Sequence, residues 1–129
     1  MTDLPNGPSL LEEARHTLLD SLLPLLPPDR RYDGLMIANA MAIAAREAAE
    51  GEALLRKAIS MLSVLLQSPG VVGSNADLPQ QLLGLERRLA DEIRTGLYDS
   101  TTPRRDAARD YLRWSTVVRL RISNPKALS

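Results

Sequence analysis

Tyr32, Asn39 and Arg46 are the side chains of this chain whose types and spacing suit recognition chemistry. They lie within RYDGLMIANAMAIAAREAAE, residues 31–50. On a helix turning 100° per residue, Tyr32, Leu35, Asn39, Ile43, Arg46 and Glu50 share one stripe, with Ile37, Met41, Ala44, Ala45 and Ala48 opposite. A helix apolar on both sides is expected to be buried all round, and an amide buried without partners costs on the order of 1–3 kcal/mol. The carboxamide of Asn39 is therefore expected to be hydrogen-bonded. It serves either as a clamp holding a loop or helix end to the core or as a ligand-facing group in a small cavity. Arg46 lies roughly 10 Å further along the same stripe. Its ordinary partner is Glu50, four residues on.

A second cluster is basic. Residues 104–126 carry Arg104, Arg105, Arg109, Arg113, Arg119, Arg121 and Lys126 against Asp106 and Asp110. On a helix, Ala107, Ala108, Tyr111, Trp114, Val118 and Ile122 form the apolar side, with Arg105, Arg109 and Arg119 broadly opposite. Such a face is either plain solvated surface or a docking site for an acidic partner or a phosphorylated ligand, such as a nucleotide or acyl-CoA.

Other chemistries find little to stand on. With one histidine and no cysteine, a nitrogen- and sulfur-ligated metal site is not expected. His16 sits among charged neighbours and reads as surface. No nucleophile elbow, phosphate-binding loop or dinucleotide fingerprint occurs, and Gly70 and Gly73 in GVVG read as a flexible loop. Glu12-Glu13 and Asp91-Glu92 are adjacent on helices and point apart. No nucleophile stands beside an identifiable base, so no catalytic residue and no cofactor is assigned.

The elements that must position these residues follow from periodicity and punctuation. The 129 residues hold 16 basic and 16 acidic side chains and no Phe. Net charge gives no reason to expect nucleic acid or an anionic membrane as partner, and the core must be built from Leu, Ala, Ile, Val and Met. The absence of cysteine fits a reducing cytoplasm. MTDLPNGPS has neither the basic nor the apolar region of a signal peptide, and no stretch is long and apolar enough to span a membrane. Residues 1–8 read as a flexible lead-in to a single helical domain, 9–129. SLLE at 9–12 is a capping box for a first helix that Pro24 kinks or ends and Pro27-Pro28 stop. Asp29 or Asp33 caps the central apolar helix, expected to end near Gly51, with a third helix from Leu54 to Leu66. Residues 68–77 are the clearest loop. A fourth helix runs from about Leu78 to Thr95, with Pro79 in its first turn and Gly96 as its cap, and a fifth from Thr102-Pro103 to about Ile122, closed by Asn124-Pro125. The fold class is an all-α, single-domain bundle of about five helices around a central apolar helix.

RRYDGLMIANAMAIAARE, LERRLADEIRTGLYD and the closing RISNPKAL resemble, from Arg30 onward, a small bacterial family of unknown function. In that family an Arg-aromatic pair precedes A-N-A-x-A-I, an R-E pair follows, and the chain closes on I-x-N-P. The matching positions are Arg31, Tyr32, Asn39, Arg46, Glu47, Asn124 and Pro125. The sequence departs from the pattern at Asp33-Gly34, where a histidine is common. Members tend to be encoded beside proteins resembling aminoglycoside phosphotransferases and acyl-CoA dehydrogenases. The resemblance implies an accessory helical protein that binds and steadies or regulates a phosphotransferase-like or acyl-CoA-handling enzyme, with Asn39 tying the Asn124-Pro125 end to the central helix. The alternative is a non-catalytic binder of a CoA ester or phosphorylated ligand, using a pocket lined by Tyr32, Asn39 and Arg46. Self-association into a homo-oligomer is also expected if a Leu-rich chain leaves an apolar face uncovered.

Overall fold

Proline and small polar residues set the ends of most helices in the computed structural model, which describes residues 6–68 and 77–129. Among the described residues there are four α-helices, α1 (Gly7–Thr17), α2 (Arg31–Leu65), α3 (Leu78–Arg94) and α4 (Pro103–Ser123), with short helical turns between α1 and α2 and after α4, and no strand. The all-α class is as expected; the helix count differs. The expected residues 1–5 of the lead-in and most of the loop at 68–77, with its GVVG, lie outside the described residues.

α1 begins three residues earlier than the SLLE box suggests. The Asn6 side-chain oxygen accepts from the Ser9 backbone N–H at 3.0 Å, and Pro8 occupies the first turn, where a missing N–H costs nothing. Downstream, Pro24 has no N–H to return to the Asp20 carbonyl. The chain there widens into a π-turn over Leu18–Leu22, tightens into a 3-10 turn over Leu23–Leu25, and leaves helical geometry at Leu26, φ −75° and ψ 144°.

The expected third helix does not exist as a separate element, because α2 runs unbroken through Gly51. A glycine inside a helix costs only about 1 kcal/mol, while the apolar positions continue in phase on both sides of it. The backbone of Gly51 shows no positive φ, so the capping geometry that would stop the helix is absent. α2 ends instead at Gln67, φ 54°, where Gln67 N–H reaches the Val64 carbonyl and Ser68 N–H the Ser63 carbonyl. This is the Schellman arrangement with a non-glycine residue at its left-handed position. α3 closes the same way with the expected residue: Gly96, φ 83°, donates to Ile93, and Leu97 donates to Glu92. α4 starts as read, with the Thr102 hydroxyl accepting from the Arg105 N–H at 3.2 Å, and ends before Pro125.

The chain sorts into two compact units. One comprises residues up to Glu52 together with Ile122–Asn124. There Gly34, Ala38, Ala42 and Ala45 form the buried stripe of α2. A Cβ at Gly34 would stand 2.9 Å from the terminal methyls of Leu23 and Leu26, so the turn after α1 lies directly on this stripe. The other unit, Ala53–Arg121 with Pro125–Ser129, holds the main core: Ala58, Leu62 and Leu65 of α2, Leu66 just after it, Leu89 of α3, Tyr98, and Ala108 and Tyr111 of α4. Trp114 packs against that core, with the Lys57 ammonium 5.3 Å from its ring.

The expectation of an α2 buried on all sides is not met. Tyr32 is 70% exposed, and Leu35, Met36 and Ile37 stand about half exposed. A helix apolar all round carries two faces to be covered, and the chain covers one of them.

Candidate functional site

Arg46 joins two of the elements singled out in the sequence. Its Nε donates to the Ile122 carbonyl of α4 at 2.7 Å. The last carbonyls of a helix lack intrahelical donors and carry the negative end of the helix dipole, so this guanidinium caps α4 just before Asn124-Pro125. The tie between α2 and the end of α4 thus runs through Arg46, whereas Asn39, expected to make it, is exposed. Tyr32, Glu47 and Asn124 are exposed as well. All five belong to the same unit; Arg105 and Arg109 belong to the other.

On α4, Ala108, Tyr111, Ser115 and Val118 are buried, and Arg105, Arg109, Leu112, Arg113 and Thr116 occupy the exposed side. Arg109 pairs with Asp106 at 2.7 Å, but both side chains are more than half exposed, and such pairs contribute little and break readily. Arg105 Nη1 reaches the Asp99 carbonyl at the long distance of 3.4 Å. Beside the arginines, Leu112 and Val117 remain 45% and 46% exposed, so the basic stripe is interleaved with apolar surface.

A connected polar group centres on Glu92, one of the adjacent carboxylates Asp91-Glu92. Its Oε1 accepts from the Tyr98 hydroxyl at 2.9 Å and from Arg104 Nη2 at 3.0 Å, and its Oε2 from Arg88 Nε at 3.2 Å. Arg88 also donates to the Leu66 carbonyl, capping α2 as Arg46 caps α4. The Arg104 guanidinium lies 5.5 Å from the centre of the Tyr98 ring. Burial first, and then the hydrogen bond to Glu92, raises the Tyr98 hydroxyl above its ordinary 10.0. Tyr111 is raised too, by burial first and then by the charge of Glu86; its hydroxyl is buried without a hydrogen-bond partner. Glu86 itself pairs with Arg119 at 2.7 Å. The signal for the Glu92 cluster was the G-L-Y run after α3: the turn at Gly96 folds Tyr98 back beside Glu92, six residues earlier.

Chemically, these arrangements bind and brace. The arginines donate to carbonyls and carboxylates. Among the described residues no cluster of three or more His, Asp or Glu side chains could hold a metal ion, and no helix is long and apolar enough to cross a membrane. His16 is exposed and bonds only to Asp20, four residues on.

The chain matches no curated protein and no solved structure. A family model described as "Domain of unknown function (DUF6285)" matches residues 24–127, which include α2 with its Arg46 tie, the Glu92 cluster and the whole of α4. With so much of its length matched, the chain belongs to this family of unknown function.

Proposed function

We propose that this protein is a non-catalytic accessory protein that docks on an enzyme and steadies or regulates it, with the outward side of α4 as its contact surface. The observation that carries this reading is the stripe of Arg105, Arg109 and Arg113 beside half-exposed Leu112 and Val117. Interface cores are enriched in arginine and depleted in lysine and carboxylates relative to the rest of the surface, and exposed apolar groups beside the arginines add area to bury. The unit that carries the stripe has its own buried core on the opposite side of α4, so folding does not require these side chains to be exposed in this pattern. A matching partner surface carries carboxylates around an apolar patch.

The family resemblance supplies the setting. The resemblance implies that members are encoded beside proteins resembling aminoglycoside phosphotransferases and acyl-CoA dehydrogenases, and such an enzyme is the proposed partner. Co-expression of the chain with each neighbouring protein, followed by purification and titration, tests the proposal. The expected result is a complex at micromolar concentration that Arg105→Glu with Arg109→Glu weakens at least tenfold, since like charges across an interface cost several kcal/mol. No association with either class of enzyme, or an affinity indifferent to the charge reversal, overturns it.

A further inference from the structure

The zero net charge of the chain is divided unequally between its two units. Residues 6–52 carry eight acidic side chains against four basic ones, an excess of four negative charges. Ala53–Arg121 with Pro125–Ser129 carry twelve basic side chains against seven acidic ones, an excess of five positive charges. Each excess is displayed on a helix. On α1 and just after it, Glu12, Glu13 and Asp20 are exposed, whereas the Nε of Arg15, the one arginine of α1, is buried. On α4 the exposed side carries Arg105, Arg109 and Arg113 against Asp106 and Asp110. Leu10 and Leu22, which bracket the carboxylates in sequence, are 51% and 50% exposed, as half-exposed as Leu112 and Val117 beside the arginines.

We propose that the outward side of α4 takes the acidic side of α1 from a second copy of this chain, in a reversible self-association that masks the enzyme-docking surface. The masking rests on the docking role proposed for α4; the self-association stands without it.

Charge complementarity selects this occupant. The arginine stripe calls for carboxylates beside apolar groups, and α1 presents that combination. The spans agree as well: Arg105 to Arg113 and Glu12 to Asp20 are each eight residues, roughly 12 Å along a helix. Both sides are exposed in one copy and therefore accessible to another. The contacts already made there, Asp20 with His16 and Arg109 with Asp106, join side chains more than half exposed and yield readily. Pairing like with like is disfavoured, since α4 on α4 sets arginine against arginine and α1 on α1 sets carboxylate against carboxylate. The contact is therefore between two different patches. A contact of a few helical turns between exposed charges belongs to the small, transient class, so it forms at high concentration and low salt.

Sedimentation of the full chain tests this without any enzyme. At about 100 μM protein and about 50 mM salt, the average mass is expected to exceed the 14.2 kDa of one copy, and at about 500 mM salt to return to it. Arg105→Glu with Arg109→Glu, and separately Glu12→Arg with Asp20→Arg, alter exposed residues, so both variants keep the fold, as circular dichroism will verify. Each alone is expected to be monomeric at low salt, because one then displays two acidic sides and the other two basic sides. Mixed in equal amounts, the two variants are expected to associate again. A wild type that is monomeric at low salt, an association indifferent to salt, a variant that still self-associates alone, or a mixture that stays monomeric overturns the proposal. Enzyme binding by a chain that stays monomeric overturns the self-association alone, and self-association without enzyme binding overturns the docking role and with it the masking.

Discussion

Glu92→Ala isolates the polar cluster that braces α3 against the start of α4, and its cost can be worked out bond by bond. The Glu92 side chain is 17% exposed and accepts three hydrogen bonds. The one from Arg88 comes from a half-exposed side chain, so its loss is worth only a few tenths of a kcal/mol. The Arg104 bond is partly buried and the Tyr98 bond lies at a buried ring, and each contributes about 1 kcal/mol. Removing the carboxylate also strands the Tyr98 hydroxyl and the Arg104 guanidinium, whose Nε is already without a partner. An unpaired buried donor adds about 1 kcal/mol or more, so the expected total is about 2–4 kcal/mol. Trp114, the only tryptophan, packs on the core of the same unit, so its fluorescence during urea unfolding reports on this loss. In the Glu92→Ala background, Tyr98→Phe is expected to be neutral or mildly stabilising, since it removes a hydroxyl that has lost its acceptor. A loss below about 0.5 kcal/mol for Glu92→Ala, or additive effects of the two substitutions, would show that the cluster is not the coupled unit described.

Three further outcomes follow from local geometry. Gly51→Ala should stabilise the protein by about 0.5–1 kcal/mol in thermal or urea unfolding, because the residue is helical and the new Cβ meets only the flexible Glu47 side chain, 3.3 Å away; destabilisation would mean that α2 is broken there. Gly96→Ala should cost about 1–2 kcal/mol, since φ is 83° and the Cβ would lie 2.8 Å from Asp99 Oδ2, whereas Gln67→Gly, relieving the same backbone strain at the end of α2, should give about 1 kcal/mol back; reversed signs in either unfolding midpoint would refute the two Schellman ends. Tyr98 and Tyr111 hold their protons more tightly folded than unfolded, so the stability they contribute is complete below pH 10.0 and is lost as the pH rises through their raised values; urea midpoints should fall above that pH and fall less steeply in Tyr98→Phe, and an unchanged slope would contradict the assignment.

Much of the fold was legible because its ends are chemically marked. Pro79 with Gly96 and Thr102-Pro103 with Asn124-Pro125 bound α3 and α4 closely, since each residue acts on its own backbone. Gly51 misled because a glycine signal is weak, about 1 kcal/mol, beside apolar positions that continue in phase across it. Asn6 caps α1 in place of Ser9 because two capping residues three apart compete, and Pro8 in the first turn favours the earlier one. The two-sided apolar pattern of α2 was visible, but a pattern records which faces are apolar and not whether this chain or another one covers them. Arg46 stood out by type, and its partner could not be read, since a backbone carbonyl 76 residues away leaves no mark in the sequence. The Glu92 cluster escaped for a related reason: adjacent charges on a helix look like surface until the turn at Gly96 is folded.

Salt dependence of docking tests the central claim most directly. With a phosphotransferase-like or acyl-CoA-handling partner immobilised, the association rate of the wild-type chain is expected to fall steeply as salt rises from about 50 to about 500 mM. For Arg105→Glu with Arg109→Glu it should be at least tenfold slower at low salt and nearly flat. Equal rates for the two proteins across that range would contradict a docking surface on α4.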